Sequence, residues 1–302
     1  MHKLRHYTKA CVAKTLEKAF PGLKAGAVQR LGAGYHSEAF LVNHAFVFKL
    51  PKSRHAGLAL EREAQVLRHL AGQLPLKIPD VSFYFQGDAA FPYPIIGYRY
   101  MDGRILTPQT YRSFSKEEKE KAAQTIAAFL KNLHQLPTPS GIEGLQEDFL
   151  QKLEGDYESL RALTFHQIPA RARAAVCTYY EAALRSSDLR QGKQALIHYD
   201  LSCNHIVLDK RQNTIIGVID FGDAAVADTD WDFMYLMEES REELGREFGL
   251  KVLQYYRHED PCRLMRKLKL RQAGELFEQI LFGDAAQVKP LFRKGMRALK
   301  KL

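Results

Sequence analysis

The feature that most constrains this chain is a short hairpin bracketed by two carboxylates. Residues 206–209 and 214–219 form two apolar β-type runs, joined by the turn Lys210-Arg211-Gln212-Asn213. His198-Tyr199-Asp200 precedes the first run, with His205 five residues after Asp200, and Asp220-Phe221-Gly222-Asp223 follows the second. Folding the hairpin brings its entry against its exit, so Asp200 and Asp220 come side by side. Phosphoryl transfer needs such a pair, one carboxylate near an attacking hydroxyl and another holding Mg²⁺ against phosphates. Either triplet alone occurs by chance. Both together, in order, inside an otherwise helical stretch, point to a kinase.

The remaining sequence divides around this motif. Residues 27–32, 38–43, 45–50, 81–86 and 95–101 are strand-like, and residues 57–71 are helical, with Leu58, Leu67 and Leu70 among the apolar positions and Gly72 as a stop. Residues 1–20 are expected to form an amphipathic helix ended by Pro21-Gly22. After Asp102-Gly103 the periodicity turns helical at 116–135, 148–163 and 170–185, with three or four helices beyond Thr229. The expectation is an α+β, bilobal, protein-kinase-like fold. Its small β-rich N-terminal lobe covers residues 1–101, and its larger, mainly helical lobe covers 102–302, including the catalytic hairpin at 198–223. Residues 98–103 form the hinge between them. In the sheet-rich half, Lys49 ends the run Phe46-Val47-Phe48, and Glu63 lies in the following helix. In a kinase such a lysine grips nucleotide phosphates and pairs with a helix glutamate. The segment Gly32 to Ser37 (GAGYHS) sits between two strands, where a phosphate-covering loop belongs, although it lacks a third glycine.

Charge separates the function classes. The 302 residues carry a net +9, but the basic residues are spread out, in short patches such as 263–271 and 293–301. Without a zinc-finger or RNP motif these read as solvated helix faces, and no nucleic-acid partner is expected. No apolar run reaches the roughly 18 residues of a membrane span, and the start has no secretory signal, so a cytoplasmic protein with no membrane partner is expected; a monomer is expected as well. The four cysteines, Cys11, Cys177, Cys203 and Cys262, have no metal spacing and are expected to be free thiols. One segment reverses the charge: residues 220–247 hold ten acids against Arg241 and Arg246. On a helix running from Asp232, Tyr235, Glu238 and Glu242 would share one face, with Glu239 and Glu243 in the adjacent row. Beside a phosphoryl-transfer site that stripe suits a polycation. Each exposed ion pair contributes only about 0–1 kcal/mol, so several must act together.

These residues resemble a known family. Residues 32–43 (GAGYHSEAFLVN), Phe48-Lys49, 198–209 (HYDLSCNHIVLD) and 217–239 (GVIDFGDAAVADTDWDFMYLMEE) are similar to the aminoglycoside phosphotransferases, most closely the 2″-O-phosphotransferases. The resemblance implies an antibiotic-resistance kinase that moves the γ-phosphate of GTP, or ATP, to an aminoglycoside hydroxyl with the help of Mg²⁺. It makes Asp200 the catalytic base at the substrate hydroxyl, Asp220 the main Mg²⁺ ligand, and His205 its companion where protein kinases use asparagine. Gly32, Ser37, Lys49 and Glu63 would serve the nucleotide phosphates. Main-chain groups of Arg99 and Met101 would meet the purine, with Tyr98 as a bulky gatekeeper favouring GTP. Tyr235, Glu238, Glu242 and Glu243 would hold the aminocyclitol. His198 would support the catalytic loop, and Asp228 and Asp232 would cap or brace the next helix. A later helix that often adds a carboxylate in this branch has Gln272-Ala273 here, with Glu275 nearby. The rival readings are a kinase of another small alcohol, such as a macrolide, and a degenerate kinase fold used for binding. The glutamate run disfavours the first, and the presence of Lys49, Glu63, Asp200 and Asp220 disfavours the second.

Overall fold

Helix α1 (Lys9–Ala19) is started by Thr8, whose hydroxyl accepts the Cys11 N–H, and it ends at Phe20, ahead of Gly22 at φ 97°. The computed structural model describes residues 6–34, 37–286 and 288–302. Residues 1–5 of the expected first helix, and Tyr35 and His36 of the glycine-bearing loop, lie outside the described residues.

Five strands follow: β1 (Val28–Ala33), β2 (Ser37–Val42), β3 (Phe46–Pro51), β4 (Val81–Phe85) and β5 (Ile95–Arg99), with helix α2 (Arg54–Leu70) inserted after β3. They form one antiparallel sheet in the order β1-β2-β3-β5-β4. Period-two alternation sorts its side chains into two cores. Phe40, Val42, Phe48, Leu50 and Ile95 pack with Val12 and Leu16 of α1. Leu41, Val47, Ile96 and Tyr98 pack with Leu60 and Ala64 of α2. Lys49 is in step with Val47 and therefore faces α2. Gly97 is obligatory opposite Phe48, because a Cβ there would stand 2.4 Å from the ring. Helix α2 starts three residues earlier than its periodicity suggests, because the Ser53 hydroxyl accepts the Ala56 N–H.

After β5 come β6 (Arg104–Ile105), α3 (Pro108–Arg112) and α4 (Lys116–Leu133), the last with a complete capping box from Ser115 and Glu118. Helices α5 (Phe149–Thr164), α6 (Ala170–Arg185) and α7 (Ser187–Arg190) precede β7 (Gln194–Ile197). The predicted hairpin is β8 (Ile206–Leu208) and β9 (Ile215–Val218), which joins β6 in a small sheet. Strand β10 (Ala225–Asp228) pairs with β7, and α8 (Arg246–Tyr256), α9 (Pro261–Ala285) and α10 (Lys289–Leu299) complete the chain. The result is a mixed α+β fold, as expected.

The chain forms two compact units. One comprises Met1–Leu145, Ala195–Val226 and Trp231–Arg257, and so holds the five-stranded sheet, the hairpin, α4 and α8. The other comprises Gln146–Gln194, Ala227–Asp230 and His258–Leu302. Its core gathers Leu160, Val176, Tyr180, Phe277, Ile280 and Leu299 from α5, α6, α9 and α10.

Two expectations need correction. No helix carries Tyr235, Glu238 and Glu242 on one face. Thr229–Phe233 and Tyr235–Met237 are 3-10 turns, Glu238 is extended at φ −72°, ψ 133°, and α8 begins only after Gly245 at φ 90°. The Ser240 hydroxyl accepts the Glu242 N–H, a local bond that competes with helix hydrogen bonding, and glycine takes the left-handed turn at 245 without a Cβ penalty. The basic patch at 263–271 is also not uniformly solvated, since Lys267 is fully buried in α9.

Candidate active site

Glu63 occupies a core-facing position of α2, between Leu60 and Leu67 on the apolar stripe, where an aliphatic residue would ordinarily sit. A buried carboxylate there requires a partner. The Lys49 ammonium supplies it, donating to Glu63 Oε1 at 2.8 Å and Oε2 at 2.6 Å. The same ammonium donates to Asp220 Oδ1 at 3.0 Å. Burial alone would pull the Lys49 pKa down, but Glu63 and Asp220 hold it above the usual lysine range. Lys49 in turn holds the Asp220 carboxyl well below the usual carboxylate range. Gly222 keeps this corner open: a Cβ there would lie 3.3 Å from Asp220 Oδ1 and 3.6 Å from Glu63 Oε2.

The hairpin delivers the other half of the site. The Ile219 N–H bonds to the His205 carbonyl at 2.9 Å, which closes the base of β8 and β9 and sets His205 beside Asp220. His205 Nε2 stands 3.6 Å from Asp220 Oδ2, and Nδ1 stands 3.6 Å from Asp200 Oδ2. His205 Nδ1 lies 2.6 Å from the Asp200 carbonyl oxygen, which can only accept, so the proton is on Nδ1. In the neutral ring the Nε2 lone pair then faces Asp220. That orientation, with a carbonyl fixing the tautomer, is the one a metal-ligating histidine adopts.

Asp200 is presented by a left-handed residue, Tyr199 at φ 68°, and Asp220 is itself left-handed at φ 67°. Such conformations in non-glycine residues persist only where surrounding bonds enforce them. Asp232 does so for Tyr199, its carboxylate accepting the Tyr199 N–H at 2.6 Å and the His198 N–H at 3.1 Å while bonding His134 Nε2 at 2.9 Å. Asp232 is thus a brace, but of the turn that presents Asp200 rather than of the following helix. His198 is fully buried, which holds its pKa down and keeps it neutral; Nε2–H donates to the Ile219 carbonyl at 3.1 Å, and Nδ1 accepts the Asp200 N–H. Burial pushes the Asp200 carboxyl up to about 7, with Asp223, Asp220 and Glu243 reinforcing the shift and His205 opposing it. Asp223 and Glu243 therefore belong to the electrostatics of this carboxyl. The sequence pattern contained Asp223 in its motif and assigned it nothing.

The other expected site residues are distributed as follows. Gly32 lies in β1 opposite Ala39, Ser37 opens β2, and the Lys52 ammonium donates to the Gly34 carbonyl, tying the loop to the end of β3. Tyr98 is buried against α2, near enough to Lys49 and Glu63 for their charges to reach its hydroxyl. Arg99 is exposed, the Tyr100 N–H donates to the Ala45 carbonyl, and the Met101 sulfur covers Gly217, where a Cβ would stand 2.3 Å from it. Tyr235 is half-buried, and Glu238 and Glu242 are exposed. Glu243 is half-buried and bonded to the loop after Asp200, its Oε2 accepting the Cys203 N–H at 3.0 Å.

Mg²⁺ takes oxygen ligands, usually one or two carboxylates supplemented by phosphates and water. Among the described residues no three or more His, Cys, Asp or Glu side chains gather to hold a metal alone. Asp220, kept ionised and partly open to solvent, and the lone pair of His205 fit such a shared site, with the nucleotide completing it.

The sequence model of the phosphotransferase enzyme family, APH, matches residues 27–270. Among the solved structures similar over nearly the whole chain are the following three. The gentamicin complex of APH(2″)-IIa is 28% identical, covering 99% of this chain and 98% of that one, with a TM-score of 0.87. The GDP and kanamycin complex of APH(2″)-IIIa is 26% identical over 96% and 97%, with a TM-score of 0.82. ADP-bound APH(2″)-Ib is 28% identical over 95% of each chain, with a TM-score of 0.82. A macrolide 2′-phosphotransferase, at 18% identity and a TM-score of 0.70 over 97% and 98% of the two chains, shares the fold.

Proposed function

We propose that this chain, which belongs to the phosphotransferase enzyme family, transfers the γ-phosphate of GTP or ATP to a hydroxyl of an aminoglycoside. The observation that carries the proposal is the unbroken line of groups Glu63–Lys49–Asp220–His205–Asp200, with successive separations of 2.6, 3.0, 3.6 and 3.6 Å. Each member has a task. Glu63 orients Lys49, whose ammonium grips the nucleotide phosphates. Asp220 and His205 would hold Mg²⁺, which when bound would neutralise charge on the phosphate oxygens. Asp200 orients the acceptor hydroxyl and takes its proton as the phosphorus–oxygen bond forms. Tyr98 narrows the inner end of the purine site and favours GTP, while main-chain groups of Arg99 and Met101 meet the base. Gly32 and Ser37 border the loop over the phosphates.

The acceptor class rests on a second observation. The acid-rich segment is bonded to the catalytic loop itself, through Glu243 and through the Glu242 carbonyl, which accepts the Cys203 thiol at 3.1 Å. Exposed Glu238 and Glu242 thus extend carboxylates from a segment anchored beside Asp200, where a polyamine sugar is drawn by several weak ion pairs together. Kinship with the 2″ enzymes supports the 2″ hydroxyl as the target. No helix among the described residues is long and apolar enough to cross a membrane. The test is mass spectrometry of a small aminoglycoside panel incubated with the protein, Mg²⁺ and GTP or ATP, with NMR to locate the phosphate. A product carrying one phosphate on the 2″ oxygen is expected. Phosphorylation of a macrolide, with no aminoglycoside product, overturns the acceptor class.

A further inference from the structure

We propose that Glu243 is a positioning residue, fastening the catalytic loop that carries Asp200 and His205, and that it is not a ligand of the substrate's ammonium groups. The inference rests on the phosphotransferase reading above and revises one member of its acidic segment. The turn from Asp200 to His205 is closed by bonds within itself: Ser202 N–H to the Asp200 carbonyl at 2.9 Å, His205 N–H to the Ser202 carbonyl at 3.0 Å, and His205 Nδ1 to the Asp200 carbonyl at 2.6 Å. Such bonds shape the turn without fixing it to the protein. Glu243 reaches it from 40 residues further along the chain. Its Oε2 accepts the Cys203 N–H at 3.0 Å, and the neighbouring Glu242 carbonyl accepts the Cys203 thiol at 3.1 Å. Ser202 and Cys203 are both buried, so the Cys203 amide has a strong need for this acceptor. A carboxylate engaged in this way, and half-buried, has less to offer an ammonium than exposed Glu238 or Glu242.

Glutamine separates the two roles. Its carbonyl oxygen still accepts from the Cys203 N–H, but its charge is gone. Alanine loses both bond and charge. The experiment compares Glu243→Ala and Glu243→Gln in steady-state acceptor phosphorylation and in nucleotide hydrolysis without acceptor, with thermal midpoint and nucleotide affinity as folding controls. Displacement of the loop should lower kcat of Glu243→Ala by about 10- to 100-fold. The acceptor KM should change by less than about twofold, and Glu243→Gln should recover most of kcat. Acceptor-free hydrolysis should follow the same order. If Glu243→Gln raises the acceptor KM as much as Glu243→Ala does, with kcat kept, Glu243 is an ammonium ligand and the proposal falls. Equal loss of kcat in both variants overturns it too, because a charge rather than an acceptor atom would then be required. Should Glu243→Ala not fold, the KM and kcat of Glu243→Gln decide alone. A parent protein that phosphorylates no aminoglycoside refutes the substrate class, while the hydrolysis series still tests the positioning role.

Discussion

Among the buried lysines of the described residues, Lys49 and Lys267 each lie between two aspartate or glutamate side chains, and their surroundings differ. Lys49 lies between Glu63 and Asp220, with side-chain exposures of 1% and 45%. Lys267 is completely buried against Asp228 and Asp230, whose exposures are 8% and 1%, and Asp230 is also bonded by His258 Nε2 at 2.6 Å. The second network is closed, since every charged atom at its centre faces another protein group. The first has one open carboxylate, so its partners can be exchanged for phosphates and a metal. Buried ion pairs are weak evidence of stability or of function by themselves. Solvent access to one partner is what distinguishes a site from a brace.

The comparison can be broken at several points. The largest expected effect is at the reactive end of the open network: Asp200→Asn should lower kcat by about 10²–10⁴ while the thermal midpoint and nucleotide affinity stay near those of the parent. Near-normal turnover would remove Asp200 from the chemistry. Next come the lysines themselves. Lys49→Met should cut phosphoryl transfer by about 10²–10³. Its cost in stability should be the smaller of the two, because only Glu63 is left buried without a cation, while Asp220 can turn to water. Lys267→Met takes the shared cation from two buried carboxylates, leaving Asp230 to His258 and Arg263, and should cost about 3–5 kcal/mol in denaturant unfolding. Equal stability losses in the two variants would erase the distinction between open and closed networks.

A smaller effect sharpens the contrast between anchored and exposed acids. Glu238→Gln/Glu242→Gln should raise the aminoglycoside KM by up to about 30-fold, given roughly 0–1 kcal/mol for each of two exposed pairs, with little change for the nucleotide. The parent's acceptor KM should also rise with salt, because exposed pairs are screened over about 8–10 Å. An unchanged KM in the double variant would make those acids mere solvated surface. The smallest effect is expected at Tyr98→Ala, which should improve kcat/KM for ATP relative to GTP; an unchanged ratio would place nucleotide preference elsewhere.

Much of the candidate site was legible in the residues. Glu63 interrupts the apolar face of an amphipathic helix, Lys49 follows the apolar run Phe46-Val47-Phe48, and the two aspartates bracket a hairpin whose turn Asp209 caps by accepting the Arg211 and Gln212 N–H groups. Each is a local pattern, which a period or a short loop reveals. The acidic segment misled because its spacing is helical while Ser240 and Gly245 break the helix, and spacing says nothing when a local hydrogen bond competes. Lys267 misled in the opposite way: among the basic residues of 263–271 nothing marks one as buried, although it falls three residues after buried Leu264, on the same helix face.

By itself the sequence determined the strand and helix periods, the hairpin, and the approach of His205 to Asp220 across its base, since closing a short loop costs little entropy. Only the tertiary structure decided that Lys49 bonds Asp220 across 171 residues, that Asp232 finds His134 across 98, and that Glu243 takes the Cys203 amide across 40. The physical reason is that a buried charge or amide must be satisfied by some partner, but which partner it meets depends on how every intervening element packs.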